Sequence, residues 1–498
     1  MGKRMFSLLL ALLLTGSVMV SCGGETDTTI DNETPEAAGE TAGGDPYEAY
    51  DYGGKTLRIS SSINEYDSTN AHRLIAGTGE TNGEIVNDAV FQRNEEVMTL
   101  LNVKLDFIET DWTYDTCIPE LESLVMSGDC GFEVVINDLR CLTTSARSGY
   151  LYSIANNPIM DFTKSYWYKE AMEDLELVEG ARFLLIGDLF MDVLASSHVL
   201  YYNKDIIHDA MGSPDAVQDI VLEGGWTADK MIEVMELTAQ DTDGDGTMKE
   251  GDLMGYALTG PWGPLMPVLI AMDVDTIDTS GGKPVYCFNN ERSVKVLDTI
   301  NRLYWNKNTL GKPSDFTAQG VLSLFMNRQA VFAGYQRLGD LEKMRDAEFR
   351  IGIAPYPKLD DAQENYVSSM HNTSEVGAIV VTTPVGELEF ISVCLEVMCR
   401  EAQKTILPVY YEEALKVKYV GGTDDAAMID LIHNTITSPR TLAYDKNLNN
   451  FLMGTCFLYL VRDQKNDFAS AYASAIDAAT ADLNALVEDF TKVVENAG

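Results

Sequence analysis

The amino-acid sequence predicts an α/β fold. Strand and helix patterns alternate over 55–136, at spacings that imply a sheet of parallel character covered by helices. The stretch 132–136 reads as a buried apolar strand that ends on a polar pair, Asn137 and Asp138. About 450 residues follow the polar N-terminal stretch, enough chain for two or three domain-sized cores.

The elements follow in order. Residues 55–60 form a short strand that leads into a polar loop holding Asn64 and Glu65. Residues 84–101 read as a helix, with Ile85, Ala89 and Val97 among its apolar positions. Residues 102–108 alternate as a strand does, and 116–127 read as a helix closed by Gly128. A strand over 196–202 leads into Asn203-Lys204-Asp205. Trp226 and Thr227 open a further helix, with Thr227 as its N-cap. Residues 291–305 and 316–327 are amphipathic, and 350–354 and 376–382 read as strands. Two helices are expected over 387–401 and 408–416, the second opening on Pro408. The chain ends in a helix, because Phe468, Ile476, Leu483, Leu486, Val487, Phe490 and Val494 recur at helical spacing. No Pro/Ser-rich linker divides the body after residue 50, so two lobes would be joined by crossing strands.

The N-terminus reads as a targeting segment. Lys3 and Arg4 precede an apolar run over 5–20 that ends at Ser21 and Cys22. That is a secretory signal, too short and wrongly flanked for a good membrane span. Cys22 resembles the lipidated cysteine of the bacterial lipoprotein lipobox, although Met19 stands where Leu is usual. An ordinary cleaved signal with an incidental cysteine is the other reading. The resemblance implies a signal peptide over 1–21 and a lipid-anchored protein on the outer face of a bacterial cell membrane. Residues 22–50 then act as a flexible tether, since a stretch rich in Gly, Thr, Glu and Asp cannot bury enough apolar surface to order itself.

With 36 basic and 77 acidic residues, the chain has a net charge of −41. Nucleic acid is excluded as a natural partner, because phosphate binding needs a basic footprint. Beyond Cys22 there are seven cysteines, Cys117, Cys130, Cys141, Cys287, Cys394, Cys399 and Cys456, with no C-x-x-C pair. Their scatter argues for free buried thiols, with one bridge among the first three as the alternative.

The sharpest chemical motif is DTDGDGTMKEGD at 241–252. Carboxylates at Asp241, Asp243 and Asp245, a sharp turn at Gly246, the Thr247 carbonyl and a last carboxylate at Asp252 match an EF-hand calcium loop. Asp252 stands where Glu is usual and must reach further. The alternative is an acidic surface turn capped by its own Asp side chains. A bound Ca2+ would be structural. Motifs of zinc proteases, serine hydrolases and P-loop ATPases are absent, and the five histidines show no ligand spacing.

Several local sequences line up, in order, with one family. They are GEIVNDAVFQRN at 83–94, the strand end at Asn137-Asp138, YNKD at 202–205, Trp226-Thr227, FMNRQAVFAG at 325–334, IAPYPK at 353–358 and YYEEAL at 410–415. This series resembles the maltose-binding-like branch of the extracellular solute-binding proteins of ABC importers. The resemblance implies a two-lobed, type II periplasmic-binding-protein-like fold with a ligand cleft between the lobes. Lobe 1 would comprise 51–192 and 376–447, and lobe 2 would comprise 197–371 and 452–498. Hinge bending would close the cleft.

A sugar site needs aromatic faces for pyranose rings and directed polar groups for hydroxyls. Trp112, Trp167 and Trp262 lie in expected loops, where packing is the alternative role for each. In the family, the segment after the strand at 330–334 carries an aromatic that stacks on sugar. Here that residue is Tyr335, with Gln336 and Arg337 beside it. Asn64, Glu65, Asn137 and Asp138 follow strands, and His371 lies near an expected crossing. The resemblance implies a non-enzymatic receptor that captures a small polar solute, above all a carbohydrate, and delivers it to an ABC permease. The rival readings are a surface glycan-degrading enzyme and a glycan-binding adhesion or sensory module.

Overall fold

Thirteen strands occur among the described residues of the computed structural model, which are 45–63, 71–260, 263–312, 317–415, 423–437 and 440–497. In chain order they are β1 (Lys55–Ser62), β2 (Val103–Thr110), β3 (Val134–Asp138), β4 (His198–Asn203), β5 (Met254–Ala257), β6 (Ile277–Asp278) and β7 (Val285–Tyr286). Then come β8 (Thr309–Leu310), β9 (Ala330–Arg337), β10 (Ile351–Ala354), β11 (Ser368–Ser369), β12 (Glu375–Ile379) and β13 (Ile436–Thr437). Expectations for the signal peptide, for Cys22, Asn64, Glu65 and Trp262, and for the tether up to residue 44 fall outside the described residues; the last part of the expected tether is corrected, because Tyr47 and Tyr50 stack at 6.2 Å and pack against the core, with Arg400 over the Tyr47 ring.

Two main sheets organise the body. The first has the order β12-β3-β1-β2, with β1 parallel to β2 and β3, and β12 antiparallel to β3. The second has the order β10-β4-β9-β5-β8. Each sheet is built mainly from one stretch of chain, and only β12 returns to the first after the second is complete. The architecture is the mixed α/β, two-lobed arrangement that the sequence predicts. Leu57 and Ile59 of β1 and Val134 and Val135 of β3 are fully buried, because helices cover the sheet.

Local signals explain the helices. Glu84 caps the helix Ile85–Leu101 by accepting from the backbone N–H groups of Val86 (3.0 Å) and Asn87 (2.7 Å). Thr227 caps Ala228–Thr238 as expected, through Oγ1 to Lys230 N at 3.3 Å. Gly128, at φ +84°, ends the helix Tyr114–Ser127 in the left-handed conformation that glycine adopts without strain.

One helical expectation is corrected. The two helices expected over 387–401 and 408–416 are one, Leu388–Leu415, with Pro408 inside it. Pro408 removes one backbone hydrogen bond and crowds the preceding turn, at a cost of about 3 kcal/mol. Burial of Phe390, Ile391, Val393, Val397, Met398 and Ile406 along the helix, which packs against Ile85–Leu101, outweighs that cost.

The chain passes between the sheets through a hydrogen-bonded junction. Before the first passage Leu185 still pairs with Gly377 of β12. The short helix Asp192–Ala195 follows, and Asp192 Oδ2 accepts from Glu375 N at 2.7 Å. Ser196 Oγ and Ser374 Oγ lie 2.5 Å apart. The passage into the second sheet is thus tied to the passage out of it. The seven cysteines from Cys117 to Cys456 are all free, and only Cys287 is not buried. Among the described residues no helix is long and apolar enough to cross a membrane.

Candidate functional site

The site begins with an irregularity in the second sheet. β4 and β9 run antiparallel, with His198 opposite Arg337 and Val199 opposite Gln336, but the register slips before Tyr201 meets Ala333. Gly334 and Tyr335 therefore oppose the single residue Leu200, which is a β-bulge. Tyr335 takes φ +59°. That conformation costs a non-glycine residue on the order of 1 kcal/mol or more and persists only where surroundings enforce it. The Tyr356 hydroxyl holds it there, accepting from Tyr335 N at 2.8 Å. Gly263 helps from the other side, because a Cβ there would lie 3.0 Å from the Tyr335 hydroxyl.

The bulge sets the Tyr335 ring over His198, with centroids 5.1 Å apart and planes 24° from parallel. The same tyrosine brings its hydroxyl to 3.1 Å from His371 Nε2. Arg337 Nη2 lies 3.1 Å from that nitrogen too. A guanidinium can only donate, so Nε2 accepts from it, while Nδ1 accepts from the Thr373 backbone N–H at 3.1 Å and lies 2.6 Å from Thr373 Oγ1, so fixed donors stand on both sides of the ring. His371 is thus neutral. Burial holds its pKa well below the usual histidine value, and the charge of Arg337 adds to the effect. For His198, burial and then Arg337 push the pKa down to about 3, with the Gln336 backbone pulling slightly the other way.

The first sheet reaches the same point. Asp138, the last residue of β3, caps the helix Leu139–Arg147 by accepting from Arg140 N at 2.8 Å. It also takes a two-point ion pair from the Arg140 side chain, at 3.1 Å from Nε and 2.6 Å from Nη2. Next to it, Leu139 N donates to Ser374 O and Ser374 N donates to His371 O, both at 3.0 Å, and the Arg140 charge adds a small further depression of the His371 pKa. Burial raises the Asp138 pKa against the pull of Arg140. Strand ends of both sheets, at Asp138 and at Tyr335 to Arg337, therefore converge around His371. Farther out, Arg73 beside β1 and Glu342 beyond β9 approach to 3.7 Å across the two lobes. Both are half-exposed, so this pair contributes under about 1 kcal/mol.

Among the expected ligand residues, Tyr335, Arg337, His371 and Asp138 come together. Asn137 is buried next to Asp138 and accepts from Asp138 N at 2.9 Å, while its amide nitrogen has no partner among the described residues. Trp112 is half-buried and packs edge-on against Phe132 at 6.2 Å. The expectation for Trp167 is corrected. It is 3% exposed, packs on Phe162, and spends its indole N–H on Glu396 Oε2 at 2.8 Å. Both its ring and its donor are used in the core.

His198, Arg140, Tyr356 and Thr373 belong to the cluster and were not anticipated. His198 opens a strand the sequence marks clearly, but the bulge that turns Tyr335 toward it leaves no sequence signal.

The acidic loop is a separate feature. Carboxylate oxygens of Asp241, Asp243 and Asp252 lie within 4.8 Å of one another. Asp241 accepts from Gly244 N and Gly246 N, both at 2.7 Å, so the turn at Gly246 wraps the first carboxylate. Asp252 accepts from Thr242 N and Lys249 N, both at 2.9 Å. The Lys249 ammonium sits 2.7 Å from Asp243 and also contacts Asp245, whose carboxylate accepts from Thr247 N. A cation thus already stands at this edge of the loop.

No family model matches this chain, and no curated protein does. Solved structures match along most of its length. An uncharacterized protein of Listeria monocytogenes is 10% identical, with a TM-score of 0.58, covering 86% of this chain and 100% of its own. An ABC transporter solute-binding protein of Thermotoga lettingae, bound with α-D-tagatose, is 14% identical with a TM-score of 0.51, covering 86% and 100%. The GacH receptor of Streptomyces glaucescens, solved unliganded and with acarbose, is 14% identical with a TM-score of 0.50, covering 86% and 99%. At such identities the likeness is one of fold, and the fold is that of the two-lobed solute-binding proteins.

Proposed function

We propose that this protein is a solute-binding receptor that takes up a carbohydrate between its lobes and delivers it to an ABC permease. The observation that carries the reading is the Tyr335 bulge. A strained backbone presents an aromatic ring and a hydroxyl beside two neutral imidazoles, where strand ends of both sheets meet. Flat ring faces suit the C–H faces of a pyranose, and the hydroxyl and imidazole nitrogens suit its hydroxyl groups. Arg337, Arg140 and Asp138 supply charge-assisted hydrogen bonds. Ligand bound by both lobes favours their closed arrangement, and the permease would read that arrangement. No chemistry is done on the ligand.

A thermal-shift screen against mono- and oligosaccharides, amino acids and peptides tests this. A ligand of the native state raises Tm by mass action. A shift with one sugar class supports the receptor reading, and a shift with peptides or amino acids alone overturns the carbohydrate assignment. Hydrolysis of an oligosaccharide at an enzyme-like rate would overturn the receptor reading itself.

Two further parts of the reading concern setting. The signal-like segment before Cys22 supports lipid anchoring at the outer membrane face. Loss of metabolic palmitate labelling in Cys22→Ser tests it, and labelling that persists contradicts it. The DTDGDGTMKEGD loop is proposed to hold a structural Ca2+ on Asp241, Asp243, Asp245, the Thr247 carbonyl and Asp252, with Lys249 displaced to solvent.

A further inference from the structure

A cavity of about 580 Å3 lies apart from the Tyr335–His371 cluster and shares none of its residues. Its walls come from three places. The helix Lys169–Asp174, beside the first sheet, contributes Glu170 and Asp174. The helix Met266–Ala271 and the loops at 273–276 and 364–367 contribute the wall on the second-sheet side. The third wall comes from residues 431–437, whose β13 pairs with β11, and from Arg440 and Thr441. The volume is within the range of roughly 300–1,000 Å3 typical of small-molecule sites.

The lining has a definite chemistry. Five carboxylates, from Glu170, Asp174, Asp273, Asp275 and Glu364, face one guanidinium, that of Arg440. Arg440 is turned partly away, donating to Ile277 O at 3.2 Å and Thr279 Oγ1 at 3.4 Å. Its Nε has no hydrogen-bond partner among the described residues. Asp174 is half-buried, accepts from Thr437 Oγ1 at 2.8 Å and has its pKa raised by burial. A carboxylate in that position gains from a cation brought beside it. The amides of Asn365 and Asn434 share the lining with the apolar Val274 and Tyr366 and with three threonines whose hydroxyls already have partners, Thr276 with Thr441 at 3.2 Å and Thr435 donating to Leu431 O at 2.7 Å. The Tyr366 hydroxyl is spent on Val221 O at 3.0 Å, and Lys358 Nζ lies 5.2 Å from the centre of its ring, which leaves one ring face toward the cavity.

We propose that this cavity between the lobes is a second binding site, for a sugar that carries a protonated amine. Carboxylates pair with the ammonium, the Asn365 and Asn434 amides bind hydroxyls, and the apolar wall takes the face of the pyranose. Because the walls belong to different lobes, occupancy differs between lobe arrangements and biases them.

The test is isothermal calorimetry on the protein with glucosamine at slightly acidic pH, beside glucose, N-acetylglucosamine and putrescine. Glucosamine is expected to bind at least about tenfold more tightly than either neutral sugar and than the diamine, and to weaken with added salt. Asp174→Asn is expected to weaken it at least about tenfold, whereas Tyr335→Ala leaves it unchanged. If Asp174→Asn lowers Tm, Glu170→Gln on the exposed rim replaces it, with a smaller loss in the same direction. No glucosamine binding at millimolar concentration overturns the site. So does equal binding of glucose or N-acetylglucosamine, or tighter binding of putrescine. Loss of glucosamine binding in Tyr335→Ala with none in Asp174→Asn moves the ligand to the cleft, and also overturns the site. Sugar binding that depends on Tyr335 is read separately, so the two proposals fail independently.

Discussion

The Tyr335 hydroxyl stands 3.1 Å from His371 Nε2, and the two residues approach from different parts of the fold, one from a bulged strand and the other from the passage back to the first sheet. The contact couples sheet geometry to the junction between lobes. Tyr335→Phe keeps the ring over His198 and removes the hydroxyl. It is expected to lower sugar affinity about fivefold, near the 1 kcal/mol of one hydrogen bond, with Tm almost unchanged. Calorimetry on the two proteins checks this, and unchanged affinity would place the hydroxyl outside the site.

His198 and His433 give opposite pH signatures. Burial depresses the folded-state pKa of His198 to about 3, below the unfolded value of about 6.5. The unfolded state binds the proton first, so this group lowers stability as pH falls below about 6.5 toward 3. For His433, burial pulls the pKa down, but the Asp188 hydrogen bond at 2.9 Å and its charge prevail and the net shift is upward. Its contribution is full below the unfolded pKa and is lost as pH rises through the folded one. His198→Phe should therefore flatten the acid side of a urea-midpoint profile. His433→Gln should cost more stability at mildly acidic than at alkaline pH. Parallel profiles for either variant and the parent would contradict the assignment.

The loop at Asp241 to Asp252 predicts a metal-dependent Tm. Ca2+ at a hundred times its Kd would add about 2.7 kcal/mol of stability, enough to move Tm by several degrees. EDTA should reverse the gain, and Asp241→Asn should abolish it. Lys249→Ala should enlarge it, since the carboxylates then lack the ammonium 2.7 Å from Asp243. A scan that does not respond to Ca2+ or EDTA leaves the loop as an acidic turn.

Trp167 separates packing from binding. Trp167→Phe leaves the Tyr166 hydroxyl as a remaining donor to the buried Glu396 carboxylate. Losing the indole donor is expected to cost about 1–3 kcal/mol of stability while sugar affinity stays unchanged. Chemical denaturation and calorimetry on one preparation read both quantities.

Much of the fold is legible in the sequence, because period and caps are local. The buried strand before Asn137, the cap at Thr227 and the stop at Gly128 all stand where the pattern puts them. Pro408 misled, since its local cost is outweighed by burial along a helix whose partner lies about 300 residues earlier in the chain. The site was legible where it coincides with strand ends, at Asp138, Tyr335 and Arg337. Trp167 in its loop looked like a ligand residue because its partner, Glu396, is remote in sequence. His198, Arg140 and Thr373 were not legible, since a slipped register and an ion pair bring them together, and neither is periodic.

Tyr335 is proposed to anchor a carbohydrate where the two sheets converge. The most direct measurement is calorimetric titration of the protein and of Tyr335→Ala with the sugar class that raises Tm most. Binding to the parent is expected, with a loss of at least about tenfold in the variant and the fold intact by circular dichroism. Equal affinity in the two proteins would contradict it.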